Sequence, residues 1–134
     1  MSEIRSVGIP SPRVEGEQKV GGDAVYAIDV VLPDMLWAKV LRSPIAHGRI
    51  KKIAVAKALA LPGVRAIVTG DDISADHRMG AFIKDEPAMA KGKVRYVGEI
   101  VAAVAADTEA IARQATRLIR VDYKSLPPVL DPLT

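Results

Sequence analysis

The residue types that could do chemistry first gather in Arg42-Ser43-Pro44-Ile45-Ala46-His47-Gly48-Arg49. A serine and a histidine four positions apart are what a nucleophile and its general base require, and the two arginines could hold an anion. A working pair also needs a carboxylate to orient the imidazole, and none lies within the motif. Around Pro44 the hydroxyl is better placed to bond neighbouring backbone and hold a corner. Arg42, Ser43 and His47 are therefore expected to be structural or interface residues, with Arg42 and Arg49 paired to carboxylates of the same chain. A second group, Asp71, Asp72, Asp76 and His77, has metal-ligand chemistry, but nothing fixes it on one rigid face, and a solvated turn is expected. Glu99, between Gly98 and an apolar run, is a lone acid expected to pair with Arg95 or with a partner's backbone. No residue is assigned a catalytic, cofactor-binding or metal-binding role.

Composition narrows what these residues could serve. The 134 residues contain no cysteine, which excludes thiol nucleophiles and an iron–sulfur cluster held by the chain's own thiolates. Hydrophobic residues make up 49%, yet the aromatics are only Tyr26, Trp37, Phe82, Tyr96 and Tyr123, so the core should be aliphatic. The net charge of +3 is spread along the chain. Its basic clusters are not interleaved with aromatics as single-strand nucleic-acid binding requires, so no nucleic-acid partner is expected. The start lacks the basic-then-apolar pattern of a signal peptide and no apolar run reaches membrane-spanning length, so a cytoplasmic location is expected.

The elements that must position these residues follow from punctuation and period. Residues 1–22 are dense in glycine and proline and are expected to form an extended arm without regular structure. One domain is expected over residues 23–134. Ala24 to Leu32 and Met35 to Leu41 read as two strands of a hairpin-like pair, and Ile50 to Val55 as a third strand. A short helix over Ala54 to Leu61 should end at Pro62-Gly63, with a strand from Val64 to Thr69 and a turn at Gly70-Asp71-Asp72-Ile73. Ile100 to Ala106 is apolar throughout, which favours a central strand buried on both faces. Asp107 or Thr108 should cap a helix bearing the stripe Ile111, Ala112, Ala115, Leu118 and Ile119, with Glu109 and Arg113 spaced as an ion pair. Val121-Asp122-Tyr123 closes as a strand. Between these elements, residues 74–93 have no sustained period. The apolar Met79, Ala81, Phe82, Ile83 and Met89 of that loop must either cap the chain's own core or meet another protein.

Several stretches resemble one family. Arg42-Ser43-Pro44-Ile45-Ala46-His47-Gly48-Arg49-Ile50 resembles the Arg-Ser-x-x-Ala-His-x-x-Ile segment of the molybdenum hydroxylases of the xanthine dehydrogenase and aldehyde oxidase family. Lys19-Val20-Gly21-Gly22 with Tyr26 and Asp29, Leu61-Pro62-Gly63-Val64, Lys93 to Asp107, and Val121 to Pro127 resemble it in the same order. The likeness runs from about Arg13 to Pro132. It implies the α/β hammerhead domain of the large subunit: an α+β domain with a mixed β-sheet flanked by helices. It also implies that the parent complex uses molybdopterin, 2Fe-2S clusters and FAD, none bound by this chain alone. The implied partners are a molybdenum-cofactor-binding domain or subunit and iron–sulfur and FAD subunits, the chain being an excised domain or a split subunit. In xanthine dehydrogenases the matching loop places a bulky apolar residue and a Phe, after a Gly, in the substrate funnel. Gly80-Ala81-Phe82 follows that order, so Ala81 and Phe82 are the implied funnel residues, with Ala81 leaving more room. A self-sufficient binding module for a small molecule or a protein, sharing the fold, is the alternative.

Overall fold

A computed structural model of the chain describes residues 8, 10–74, 78–131 and 133. It divides into two compact units, Met1–Asp34 and Met35–Thr134. The expected boundary between residues 22 and 23 lies inside the first unit.

That first unit departs from expectation twice. The arm expected to lack regular structure contains a helix, α1, at Gly16–Gly21. Glu17 lies in its first turn, Glu15 pairs with Lys19 at 3.2 Å, and Gly22 ends it at φ +83°, so local charge and a glycine stop outweigh the interior glycine cost. Ala24 to Leu32 is not a strand. It holds a 3-10 turn, Ala27–Asp29, fixed by the Tyr26 N–H donating to Asp29 Oδ2 at 2.9 Å. The hairpin expected from this run with Met35 to Leu41 is therefore absent.

The second unit contains β1 (Trp37–Arg42), β2 (Gly48–Ala54), α2 (Ala56–Leu59) and β3 (Val64–Thr69). A 3-10 turn at Gly70–Asp72 follows, then the short strands β4 (Arg78–Met79), β5 (Glu86–Pro87) and β6 (Lys93–Val94). It closes with β7 (Ile100–Ala106), α3 (Glu109–Leu118) and β8 (Arg120–Ser125). The class is α+β as expected. The β structure is divided: the described strands pair antiparallel in three small sheets, ordered β1-β7-β3, β6-β2-β8 and β4-β5. The β2–α2–β3 run puts its strands in different sheets. Its connection spans only residues 55–63, short of the ten or so residues a parallel crossover needs.

The apolar run Ile100 to Ala106 is the central strand of its sheet. One of its faces carries Ala102 and Val104, which pack with Ala58, Ala115 and Ile119. α3 lies over that face because Thr108 Oγ1 accepts from the Ile111 N–H at 3.2 Å, which sets the start of the helix and turns Ala112 and Ala115 inward. Near its beginning the same strand supplies Val101 to a second core with Ala90 and Val94, packed against Ile50 and Tyr123. One strand thus ties the two larger sheets together. The largest fully buried side chains are valines, so the interior is tight and aliphatic.

Candidate functional site

The corner between β1 and β2 is held by backbone. Ser43 is buried; its N–H donates to the Glu99 carbonyl at 2.8 Å, and its carbonyl accepts from the Gly98 N–H at 2.8 Å. Its hydroxyl donates to the Ile45 carbonyl at 2.9 Å, accepts from the Ile45 N–H at 3.2 Å, and also bonds the Tyr123 phenol. Burial pushes that phenol's pKa up, and the Ser43 hydroxyl partly opposes the shift. His47 Nδ1 donates to the Pro127 carbonyl at 2.8 Å, and the His47 carbonyl accepts from the Leu126 N–H at 3.0 Å. Serine and histidine therefore serve different neighbours, one the corner and the other the segment after β8. They do not form a nucleophile–base pair.

The charged residues of the corner are also engaged, though not all as expected. The Arg42 guanidinium donates to the Gly98 carbonyl at 2.8 Å instead of to a carboxylate, because the 96–99 turn brings that oxygen over the end of β1. Arg49 has no ion-pair partner among the described residues, contrary to expectation. Its register puts it in a row between Lys93 and Lys124, with no carboxylate opposite. Glu99 is 4% exposed; its Oε2 accepts from the Arg95 N–H and its Oε1 lies 3.5 Å from the Arg95 guanidinium. The acid is folded back on its own turn, which satisfies the charge it buries. Gly48 serves as a close approach: a Cβ there would press on the Ile45 side chain and on the Lys124 carbonyl.

Of the four proposed oxygen and nitrogen ligands, Asp76 and His77 lie outside the described residues. Asp71 is exposed. Asp72 caps the 3-10 turn, accepting from the Thr69 N–H at 2.7 Å and from Thr69 Oγ1 at 2.8 Å. Those two donors, the backbone one foremost, hold its carboxyl below the usual range. Among the described residues no three His, Cys, Asp or Glu side chains converge. The sequence carries no cysteine thiolate to ligate an iron–sulfur group.

The described part of the loop over residues 74–93 divides its apolar residues between the inside and the surface. Ala90 is buried against Val94 and Val101, Met89 is half-buried, and Gly70 approaches the Ala90 carbonyl so closely that a Cβ would overlap it. Met79, Phe82 and Ile83 face outward at the end of the β4–β5 ribbon. Phe82 is fully exposed, at 101%. Gly80 has φ +144°, and a side chain there would collide with the Ile83 carbonyl, so the tip is shaped by a position only glycine fills. Beneath the ribbon is a cleft of about 170 Å³ bordered by Arg78, Asp85, Met89 and Arg95.

Sequence reasoning did not single out the outer face of the β1-β7-β3 sheet. Register places Ala38, Ala105 and Ala66 in one row across it, and Val40, Ala103 and Val68 in the next. The signal was present: the run Ala66-Ile67-Val68 is apolar at successive positions, which a half-solvated strand is not.

The profile of the family described as aldehyde oxidase and xanthine dehydrogenase, a/b hammerhead domain, matches residues 21–127. A probable xanthine dehydrogenase subunit from Bacillus subtilis is 45% identical over 114 residues, covering 85% of this chain and 15% of that protein. The nicotinate dehydrogenase large molybdopterin subunit of Eubacterium barkeri is 40% identical over 124 residues, covering 92% of this chain and 29% of that one. Among solved structures, a Cu,Mo-CO dehydrogenase superposes with a TM-score of 0.87 at 39% identity, over 94% of this chain and 16% of that chain. This chain thus spans less than a third of each of these three proteins. With the profile running from the end of α1 to just beyond β8, the chain belongs to the a/b hammerhead domain family of aldehyde oxidase and xanthine dehydrogenase.

Proposed function

We propose that this chain is the hammerhead part of a molybdenum hydroxylase large subunit. In that reading it scaffolds the pterin-binding part and lends the β4–β5 tip to the substrate funnel. The reaction would be hydroxylation of an aldehyde or a nitrogen heterocycle with oxygen from water, electrons leaving through iron–sulfur and FAD subunits. The molybdenum centre would supply the redox chemistry, and this chain's own part would be shape and positioning.

The observation that carries the reading is Phe82, a phenyl ring wholly in solvent beside a glycine-shaped turn. A side chain of this size gains free energy by leaving water, and nothing among the described residues receives it. Against a flat substrate the ring would offer a stacking face, and Ala81 in front of it would leave room for a broader molecule. The names of the relatives, a xanthine dehydrogenase subunit and a nicotinate dehydrogenase large subunit, point the same way.

The test is Phe82→Ala in the assembled enzyme. A fall in kcat/KM of about tenfold is expected, the scale of one aromatic contact of ~1.4 kcal/mol. An unchanged kcat/KM on every substrate tried would remove the ring from the funnel.

A further inference from the structure

The cleft beneath the β4–β5 ribbon, about 170 Å³, has a basic rim and an apolar wall. Arg78, Lys91 and Arg95 bring three cations to its edge. Among the described residues the side chains of Arg78 and Lys91 have neither a hydrogen-bond nor an ion-pair partner. Arg95 leans on Glu99, whose Oε1 lies 3.5 Å from its guanidinium, and Asp85 brings a carboxylate to the rim. Three cations facing the carboxylates of Asp85 and Glu99 leave one positive charge unbalanced among the described residues. The half-buried Ile73 and Met89 form the wall. Gly70, also on the lining, has no room for a Cβ against the Ala90 carbonyl, so fixed backbone backs the recess.

We infer that this cleft binds a small aromatic monocarboxylate, its ring against Ile73 and Met89 and its carboxylate held by Arg78 and Lys91. Size selects the body: a cavity of about 150 Å³ holds one benzene ring, and this recess is little larger. Charge selects the head. A monoanion balances the rim, whereas a phosphate dianion overshoots it and leaves the apolar wall unused. The guanidinium of Arg78 is a fork that matches a carboxylate, and the thioether of Met89 favours contact with an aromatic ring. Asp85 disfavours a second negative charge on the ligand. All the residues invoked belong to this chain, so the inference does not rest on the molybdenum reading.

The test titrates benzoate into the purified polypeptide or complex that carries these residues, isotopically labelled at the methionine methyls, with the Met89 signal identified by its loss in Met89→Leu. Benzoate should shift that signal saturably, and benzamide, a neutral molecule of nearly the same shape, should bind about tenfold more weakly. Arg78→Gln and Lys91→Gln, both at exposed positions, should each weaken benzoate about fivefold and leave the other methionine signals in place. No shift at Met89 would overturn the inference. Equal binding of benzoate and benzamide would overturn it as well, since the recess would then be apolar only. So would displacement of benzoate by an equal concentration of inorganic phosphate, which would mean that charge alone is read. The readout is a methyl signal and not turnover, so a product free of molybdenum that binds benzoate retains this inference while the proposed function fails. A molybdenum enzyme with no shift at Met89 loses the inference alone.

Discussion

Lys39 Nζ of β1 lies 2.8 Å from Glu109 Oε1 in the first turn of α3, and Arg113 donates to that same oxygen at 2.8 Å. The carboxylate therefore joins the helix to the sheet it covers while also pairing within the helix. Lys39 above all, then Arg113, holds the Glu109 carboxyl below its usual range. Since the folded pKa is depressed, the stability Glu109 adds is present above the unfolded value of about 4.3 and is lost as pH falls through the folded value. Asp72, lowered by Thr69, adds to the same trend. Glu109→Gln should accordingly lower Tm at neutral pH, and the gap from wild type should close under acid conditions. A gap that stayed constant down to about pH 3 would contradict the pairing.

Packing on the two faces of the β1-β7-β3 sheet predicts different outcomes for similar valines. Val104 is 1% exposed and sits in the core beneath α3. Val104→Ala should cost about 2 kcal/mol in urea unfolding of the chain. Val68→Ala, on the open face, should stay within about 0.5 kcal/mol of wild type. Equal losses at both positions would mean that the outer face is already covered within the chain.

Gly70 joins β3 to the 74–93 segment at a point where a Cβ would meet the Ala90 carbonyl, backbone that cannot swing aside. Gly70→Ala should cost about 1–3 kcal/mol by overpacking and loosen the Ala90 contact with Val94 and Val101. Gly92 has nothing within 4 Å of its Cβ position, only a φ of +68°, so Gly92→Ala should cost about 1 kcal/mol. A Gly70 variant no less stable than the Gly92 variant would show that the two segments do not meet as described.

His47 should act as a tether. His47→Ala removes the bond to Pro127 and should raise amide exchange around Leu126 without disturbing Ala102 in β7. Unchanged exchange at Leu126 would mean that the strand pairing of β8 holds the segment unaided.

The parts legible in the sequence were those set by local period and capping. Ile100 to Ala106, with no polar face, read as a central strand and is one, though Ala103 and Ala105 are only partly buried, and Thr108 before Glu109 and an Ile111/Ala112/Ala115 stripe marked the start of a helix. Val25, Ile28, Val30 and Val31 have strand propensity too, but propensity without a cross-strand partner does not make a strand, and all four are exposed. Sheet membership was hidden for a related reason: Arg49 meeting Lys93 and Lys124, or Val40 meeting Ala103, is a long-range register that no local pattern records. At the corner, Ser43 and His47 were visible as residues, but Arg42 found a carbonyl where charge alone pointed to a carboxylate.

The most direct measurement is metal content. With the coding sequence tagged at its native locus, the polypeptide or complex carrying these residues would be purified and its molybdenum determined by mass spectrometry. About one molybdenum per tagged copy is expected, the ratio of one pterin centre to one hammerhead fold. A tagged product that is fully folded and free of molybdenum would contradict the assignment and leave a self-sufficient binding module in its place.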